Sequence, residues 1–305
     1  MFSKNIPAWR KEQYDAERAY ARQILNAPKG SAERREAYVR AYSDVIGNII
    51  EKHSPGGGES HLPGLTASLV EGITPKKGSV LDIGCGSGGL VVELCRRGYD
   101  AYGIDASADS ITRAKKKLEL EHVDTSSNNR VSLGECTTYA TERTFDCAVM
   151  DNVIEHIAPD EVDDVLVHCR RLLAPHGALL IITPHRFAGP HDISRLFLPL
   201  GALPQGLHLK EYTCTELARA LALAQFQHFT GYAMHPKLLR FVTARPVPSS
   251  FSFHKALRCE RWFTTFPFFM LLKIHRAVSR AFVAFLFPAA IVAWQHPDGH
   301  TSPRL

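Results

Sequence analysis

Apolar residues recur at three- and four-residue spacings between Tyr14 and Ile50, with charged residues between them. This spacing predicts amphipathic helices that bury one face against the rest of the protein. Pro28 interrupts the pattern, and Ser31 offers a side-chain oxygen that can cap a second helix. Residues 1–60 are therefore predicted to form a helical N-terminal extension.

From residue 79 onwards, short apolar runs rich in β-branched residues alternate with helical stretches. Such alternation is typical of βαβ units packed around a parallel sheet. The fold class is therefore α/β, with the main domain at residues 61–248. The predicted strands are residues 79–83, 100–105, 130–134, 145–150, 178–183, 226–232 and 238–244. The predicted helices are residues 65–72, 88–97, 108–121, 160–173 and 213–224.

A stretch rich in Pro and His, residues 184–209, follows the fifth predicted strand. Ligands of open α/β sheets bind outside the carboxyl ends of the strands. An insertion at this end is therefore expected to lie over the site and to shape a substrate pocket.

Residues 249–305 form an aromatic and basic C-terminal extension that is predicted to be helical. Its segments Trp262–Leu272 and Ala281–Gln295 contain no charged side chain. Both are shorter than the ~20 apolar residues that span a bilayer. Three alternatives remain open: a helical cap packed on the domain, a membrane-surface helix giving peripheral membrane contact, and a transmembrane hairpin.

The charge balance narrows the class of partner. With 36 basic and 31 acidic residues the chain carries a net charge of +5, which is a mild excess. The densest basic run, Lys115–Lys117, suits the solvated face of a helix, so no DNA partner is expected. The seven cysteines include no Cys-x-x-Cys pair, and the first ten residues include no apolar stretch. We therefore expect a reduced, cytoplasmic protein without a zinc site or a secretory signal.

The first predicted strand runs directly into a glycine-rich turn and then into a helix. Glycines there allow a tight turn and a close approach to a ligand, and the helix start offers free N–H groups. The spacing Gly84-x-Gly86-x-x-Gly89 also fits a dinucleotide fingerprint. However, the carboxylate at the end of the strand would repel a pyrophosphate, whereas it can bind the ammonium of a methionine moiety. The cofactor-binding residues predicted here are Asp82, Gly84, Cys85, Gly86 and Gly88.

Acidic residues also follow the second and third predicted strands. Asp105 can accept both hydroxyls of a ribose, and Ala106 follows it directly in the same predicted site. Glu135 can face the amino group of an adenine. A place in a surface turn is the alternative for Asp105 and for Glu135.

Several motifs follow one another in a familiar order. They are VLDIGCGSG at 80–88, YGID at 102–105, FDCAVMDNVIEHI at 145–157, ALLIITPHR at 178–186 and LHLKEYT at 207–213. In this combination, residues 80–245 resemble class I S-adenosylmethionine-dependent methyltransferases, in particular the group around ubiquinone-biosynthesis O-methyltransferases. The resemblance implies S-adenosylmethionine as cofactor and a Rossmann-like, seven-stranded, mostly parallel sheet whose last strand is antiparallel.

The sequence also departs from this family pattern. His176 and His185 stand where a Gly and an Asn are usual. The Asn/Asp-Pro-Pro-aromatic motif of nucleic-acid amino-methyltransferases is absent, which argues against methylation of base amines.

The resemblance places Asp151 beside the methionine and ribose part of the cofactor, with Asn152 next to it. On a helix, Asn152, Glu155 and His156 would share one face. Related O-methyltransferases bind Mg²⁺ through Glu-x-x-Glu-His and a later histidine. Glu155, His156 and His208 match part of that set, but the first Glu is Asn152 here, so Mg²⁺ stays an alternative and no metal ligand is assigned.

Two other roles remain open for this cluster. His156 can act as a general base toward a substrate hydroxyl, since an ordinary histidine pKa of about 6.5 suits proton transfer near neutral pH. His156 can also be structural, with its ring bonded beneath the helix. The catalytic candidates are His156, Glu155 and His208, and His185 and His191 are further candidates for the base.

The expected reaction is S-adenosylmethionine-dependent methyl transfer to a hydroxyl of a small molecule, such as a lipid-like quinone precursor or a sugar. A hydroxyl must lose its proton during the transfer, which is the task that the histidines can perform. The alternatives are transfer to nitrogen or carbon, an RNA or protein acceptor, a nicotinamide-dependent oxidoreductase, and a non-catalytic S-adenosylmethionine-binding protein.

Overall fold

A computed structural model describes the chain at residues 6–54, 63–123, 130–199, 201–233, 249–251, 257–258, 260 and 290–295. The α-helices are α1 Ala8–Asn26, α2 Ala32–Ala41, α3 Glu51–His53, α4 Pro63–Ile73, α5 Gly89–Arg96, α6 Ala108–Leu120, α7 Val162–Leu172 and α8 Cys214–Leu223. A π-helix, Tyr42–Ile50, joins α2 to α3, and 3-10 turns form at Ile154–His156, Arg186–Ala188 and Ile193–Leu196. The strands are β1 Ser79–Ile83, β2 Asp100–Asp105, β3 Val131–Leu133, β4 Phe145–Asp151, β5 Leu173–Ile182, β6 Phe226–Ala233, β7 Ser249–Phe251 and β8 Ala290–Gln295.

The strands form one mixed sheet in the order β3-β2-β1-β4-β5-β8-β6-β7. Strands β1 to β5 pair in parallel. β8 is antiparallel to both β5 and β6, so β6 runs in the same direction as β1 to β5. The predicted mostly parallel sheet with one antiparallel strand is thus confirmed. The three-residue β7 adds an antiparallel edge strand that the sequence did not predict.

The antiparallel strand comes from a part of the chain that was predicted to be helical. Residues 290–295 lie between β5 and β6, so they belong to the central sheet and not to a helical extension. Their short apolar run has three buried members, Ile291, Val292 and Ala293. Periodicity alone does not separate such a run from a buried helix. The strand predicted at 238–244 lies outside the described residues.

Helices cover both faces of the sheet. Side chains alternate along each strand, so that Leu81 and Met150 join one buried cluster and Val80 and Val149 join another. Helices α7 and α8 contribute to the first cluster, and α4, α5 and α6 contribute to the second. This double cover explains why the strands read as continuous apolar runs. Within the described residues no helix has the length and apolar character needed to cross a membrane.

The N-terminal helices pack against the loops beside the sheet. Ser31 caps α2 as predicted, and its hydroxyl accepts the Arg34 N–H at 3.1 Å. A third apolar cluster joins Ile24 of α1 to Ala158 and Leu207. Because Leu207 precedes His208, this packing brings the N-terminal helices to the edge where the catalytic candidates lie.

Candidate functional site

Three carboxylates lie together at the carboxyl ends of β1, β2 and β4. Asp82 lies in β1, while Asp105 and Asp151 end β2 and β4. Burial, followed by the charges of Asp151 and Asp105, raises the pKa of Asp82 well above its ordinary value. No group in the described part of the chain donates a hydrogen bond to the Asp82 side chain. A cationic ligand group at this place would therefore relieve a cost of burying the carboxylate.

The glycine-rich turn is held against β2 and leaves room beside it. Gly84 and Gly86 have φ angles of 76° and 52°, a left-handed conformation that favours glycine. The Gly84 N–H donates to the Ile104 carbonyl at 2.8 Å. A Cβ atom on Gly84 would lie 2.5 Å from Cγ2 of Val153, whereas a Cβ atom on Gly86 would meet nothing within 4 Å. The turn therefore packs tightly on one side and is open to a ligand on the other.

Alanine at Gly84 is expected to lower the free energy of unfolding by about 2–4 kcal/mol, because a left-handed residue and an overpacked Cβ add their costs. Thermal or denaturant unfolding measures this loss. Gly72→Ala is the matched control, since a Cβ there would meet nothing within 4 Å. Equal stability of the two variants would contradict the described packing of the turn.

Asp105 is fixed at the mouth of this turn. Its Oδ2 accepts the Gly86 N–H at 2.9 Å, and its Oδ1 accepts the Ser107 N–H at 2.8 Å. Burial raises the pKa of Asp105, and the two backbone hydrogen bonds act against this rise. Each carboxylate oxygen keeps a further lone pair. The carboxylate can therefore accept two ligand hydroxyls without releasing the backbone.

The other predicted cofactor residues lie along the same edge. Cys85 is buried, and burial raises the pKa of its thiol. Ala106 is exposed in the turn that follows Asp105. Glu135 is half-buried after β3, and its carbonyl accepts the N–H of Thr138 and Tyr139. Their contacts with a cofactor stay predictions.

The prediction that Asn152 shares a helix face with Glu155 and His156 is wrong. Asn152 has a φ of 57°, which no right-handed helix allows, and only Ile154–His156 form a 3-10 turn. Asparagine tolerates this conformation better than most residues. Its Nδ2 donates to Oδ1 of Asp151 at 2.7 Å, and the Thr66 hydroxyl donates to Oδ2 of Asp151 at 2.8 Å. Asn152 therefore helps to orient Asp151.

Glu155, His156 and His208 do come together, from the 3-10 turn and the insertion. One ligand atom of each lies within 4.8 Å of the others, and the two imidazole rings meet edge to face at 4.9 Å. Glu155 is fully buried, and its Oε2 accepts the Thr183 hydroxyl at 3.0 Å. Its Oε1 has no hydrogen-bond partner among the described residues. Burial raises the pKa of Glu155 to about 7.

The two histidines differ in their partners. Nδ1 of His156 lies 2.9 Å from the Leu207 carbonyl, which can only accept, so Nδ1 carries the proton and Nε2 has a free lone pair. Burial, followed by the charge of His208, lowers the pKa of His156 to about 3. Nδ1 of His208 lies 2.9 Å from Oε1 of Glu211. Burial lowers the pKa of His208, but the hydrogen bond to Glu211 and the charges of Glu155 and Glu211 outweigh it, so that the pKa is raised.

Glu211 is a functional candidate that sequence reasoning missed. It is 2% exposed, and it accepts hydrogen bonds from His191 and His208. Burial raises its pKa, but the bonds from His191 and His208 dominate and hold the pKa at about 2. Glu211 stands three residues after His208 in the LHLKEYT run, and that spacing is the signal that could have identified it.

His185 is occupied by structural contacts. Its Nε2 lies 2.7 Å from Oε1 of Glu260, and its Nδ1 accepts the Phe187 N–H at 3.2 Å. Glu260 also accepts the N–H of Thr215 at the start of α8. With both ring nitrogens engaged, His185 is a weaker candidate for the base than His208. His191 shares Glu211 with His208, and its side chain is 23% exposed.

Tyr42 is a second residue at the site that the sequence did not single out. Its ring lies 6.1 Å from the ring of His156. Burial, and then the charge of Asp105, raises the pKa of its hydroxyl, and Glu155 adds a smaller contribution. Tyr42 begins the π-helix, so the N-terminal extension supplies a side chain beside the histidine cluster.

The Glu155, His156 and His208 donors also fit a divalent cation. Nδ1 of each ring is hydrogen-bonded to an oxygen, which leaves Nε2 as the nitrogen that could bind a metal, as is usual for metal-bound histidines. One carboxylate and two imidazoles suit a transition metal, whereas Mg²⁺ prefers a set of oxygen ligands. With Asn152 turned toward Asp151, Mg²⁺ is the weaker match for the described donors.

Comparisons with known proteins point to one family. A family model described as a methyltransferase domain matches residues 59–229, more than half of the chain. The ubiquinone biosynthesis O-methyltransferase of Psychrobacter cryohalolentis is 30% identical over 210 residues, which cover 66% of this chain and 78% of that enzyme. The indolepyruvate C-methyltransferase of Streptomyces griseus is 31% identical over 144 residues, which cover 45% of this chain and 42% of that enzyme.

The similarity to some of these proteins covers only part of their length or only the fold. The chain spans 36–53% of the length of the mitochondrial relatives that it matches. A crystal structure from Nostoc punctiforme matches with a TM-score of 0.51 at 15% identity, over 95% of this chain and 70% of that one. At this identity the structural likeness shows the fold alone.

Proposed function

The chain belongs to the methyltransferase domain family, among the class I S-adenosylmethionine-dependent enzymes, and on that premise we propose that it methylates a hydroxyl of a small-molecule acceptor. The observation that supports this proposal is that an acidic, glycine-rich site and a histidine cluster lie at the same edge of the sheet. The acidic, glycine-rich site formed by Asp82, Gly84 and Asp105 would hold the cofactor. Beside it, the histidine cluster would receive the acceptor's proton.

The two carboxylates of the proposed cofactor site match two different parts of S-adenosylmethionine. Asp82 is buried and accepts no hydrogen bond from the described residues, which suits the ammonium of the methionine moiety, and Asp105 suits the two ribose hydroxyls. The charge of Asp151 helps to raise the pKa of both Asp82 and Glu155, so its carboxylate is near both centres. The methyl group would therefore face the histidines.

For the reaction, we infer that His208 is the base. The acceptor oxygen attacks the methyl carbon, the carbon–sulfur bond breaks, and the electron pair neutralises the sulfonium to give S-adenosylhomocysteine. The hydroxyl proton passes to Nε2 of His208, while Glu211 holds Nδ1 and stabilises the resulting imidazolium. His156, with a pKa of about 3, is a weaker proton acceptor.

A divalent cation is the alternative way to activate the hydroxyl. Glu155, His156 and His208 would hold it, and a bound cation would lower the pKa of a coordinated hydroxyl. In that case the three side chains position the acceptor oxygen, and the proton leaves to solvent or to a neighbouring group. Chelator treatment distinguishes this route from the direct one.

The first test is a calorimetric titration of the purified protein with S-adenosylhomocysteine, with NAD in parallel. Micromolar binding of the first and none of the second is expected. Incubation with S-adenosylmethionine and a panel of hydroxylated, amino and RNA acceptors then identifies the methylated atom by mass spectrometry. Folded protein that binds no S-adenosylhomocysteine would overturn the proposed function, and a product methylated on nitrogen, carbon or RNA would overturn the proposed acceptor class.

A further inference from the structure

The inferred base His208 lies on a loop whose two ends meet. This insertion loop, residues 185–212, begins and ends at a parallel β-bridge between His185 and Tyr212. His208 and its partner Glu211 come shortly before the second end of the loop. The position of the base therefore depends on how firmly the two ends are held together.

Glu260 contacts both ends of the insertion loop from a distant part of the chain. At the first end, its Oε1 lies 2.7 Å from Nε2 of His185. Because the other ring nitrogen of His185 accepts a backbone N–H, Nε2 carries the proton and donates it to this bond. At the second end, Oε1 accepts the Cys214 N–H, and Oε2 accepts the Thr215 N–H at 2.8 Å. These two N–H groups belong to the first turn of α8, which begins just after the loop.

The Glu260 carboxylate is a buried charge, since the residue is 2% exposed. Burial raises its pKa, but the hydrogen bonds from His185 and Thr215 outweigh burial, so that the pKa is lowered. The N–H groups of a helix N-terminus also favour an ionised carboxylate. A buried carboxylate that loses such partners is strongly destabilised. Glu260 therefore holds His185 and the start of α8 in one arrangement.

The two sides of this contact have different origins in the chain. His185 belongs to the methyltransferase domain, at a position where Asn is usual in the family. Glu260 lies beyond residues 59–229, the part of the chain that the family model matches. The contact thus links the domain to a segment that the family model does not include.

We propose that Glu260 is a positioning residue for methyl transfer, which holds the two ends of the insertion loop together and so places His208 and Glu211 at the active site. The inference rests on the proposed function, because it takes His208 as the base. Glu260 acts on His208 through the backbone of the loop. A displacement of about 1 Å can lower a rate by about a hundredfold, so the loss of Glu260 should affect the rate of transfer more than cofactor binding.

The first test compares Glu260→Gln with Glu216→Gln in the full-length protein. Glutamine keeps the size of Glu260 but turns an NH₂ group toward N–H donors, so the hydrogen bonds to one of the two oxygens are lost. Glu216 is the matched control, because it caps the same helix by accepting the Thr213 N–H at 3.0 Å. Its variant loses a helix cap and keeps the contact between Glu260 and His185.

Glu260→Gln is expected to lower kcat by about 10- to 100-fold, measured with S-adenosylmethionine and the hydroxylated acceptor that the wild type methylates. Affinity for S-adenosylhomocysteine should stay within a few-fold. Glu216→Gln should keep kcat within a few-fold of the wild type. Thermal unfolding verifies that each variant is folded at the assay temperature.

A double-mutant cycle separates positioning from a general loss of stability. In the His208→Ala protein, Glu260→Gln should cause no further loss of kcat, because the group that it positions is already absent. A variant that only unfolds part of the protein would lower the remaining activity in that background by the same factor as in the wild type.

Nuclear magnetic resonance gives a readout that does not depend on turnover. The Nδ1 proton of His208, which Glu211 holds at 2.9 Å, is expected to exchange slowly with water and to give a resonance that is absent from His208→Ala. This resonance should disappear or shift in Glu260→Gln and should persist in Glu216→Gln.

The outcomes distinguish this proposal from the one on which it rests. An unchanged His208 resonance in folded Glu260→Gln, or an equal further loss of kcat in the His208→Ala background, overturns the positioning role and leaves methyl transfer intact. A wild-type protein that methylates no hydroxyl overturns the proposed function, while the His208 resonance still decides whether Glu260 holds the loop.

Discussion

Alanine in place of His208 is expected to lower kcat by about 10²- to 10⁴-fold, the range that general bases contribute. The reason is that Glu211 holds Nδ1 of His208 at 2.9 Å, while Nε2 has no hydrogen-bond partner among the described residues. Affinity for S-adenosylhomocysteine should stay within a few-fold, since the described contacts of His208 are with His156, Glu155 and Glu211 and not with the glycine turn. Single-turnover rates and calorimetry on the same preparation measure the two effects.

The pH dependence gives a second readout for His208. The base acts unprotonated, so the rate rises with pH through its pKa, which Glu211 and Glu155 raise against the effect of burial. Glu211→Gln removes the charge that stabilises the imidazolium, and this lowers the pKa of His208. The rise of the rate on the acidic side of the pH–rate profile should therefore move to lower pH. The plateau rate should fall as well, because the ring loses its orienting partner. If the acidic side of the pH–rate profile does not move, another group is the base.

A chelator separates the imidazole base from the cation route. If His208 takes the proton directly, activity persists after dialysis against a chelator, and the pH limb remains. If Glu155, His156 and His208 hold a cation, chelation abolishes activity and a transition metal restores it better than Mg²⁺ does. In the second case alanine at Glu155 should weaken metal binding in a direct titration.

The sequence predicted well those parts of the site that are formed by residues close to one another along the chain. The strand Ser79–Ile83, the turn and helix α5 follow one another along the chain, and their signals are an apolar run, glycines and an amphipathic helix. Asp82 and Asp105 could be located because they lie at or next to the carboxyl ends of their strands, and these ends meet at one edge of a parallel sheet. The bounds of β1 and β2 agree with the prediction to the residue.

The part that the sequence did not predict depends on distant pairing or on burial. Strand β8 lies between β5 and β6 only because the chain returns from far along the sequence, which local periodicity does not show. Asn152 reads as helical by spacing, yet its left-handed backbone turns it toward Asp151. The choice between His156 and His208 depends on the hydrogen-bond partner of each ring, and those partners, Leu207 and Glu211, are set by the fold.

Replacement of Asp105 by alanine is expected to weaken S-adenosylhomocysteine binding by about a hundredfold. The variant loses two hydrogen bonds from ribose hydroxyls to a charged acceptor, and two such bonds at about 1.5 kcal/mol each amount to about 3 kcal/mol. Calorimetry measures the change in Kd. Asp163→Ala, which removes an exposed carboxylate from the first turn of α7, is the matched control and should leave the Kd unchanged.

The same variant also removes the acceptor of the Gly86 and Ser107 N–H groups, so a loosened turn must be separated from lost ligand contacts. Asp105→Asn makes this separation, because its carbonyl oxygen still accepts one backbone N–H, while its NH₂ group can no longer accept a ribose hydroxyl. If contact with the ribose dominates, Asp105→Asn loses at least about tenfold in affinity, the equivalent of one such bond, while its unfolding temperature stays near that of the wild type. Wild-type affinity in a folded Asp105→Asn protein would instead mean that Asp105 serves the turn and that the ribose is held elsewhere.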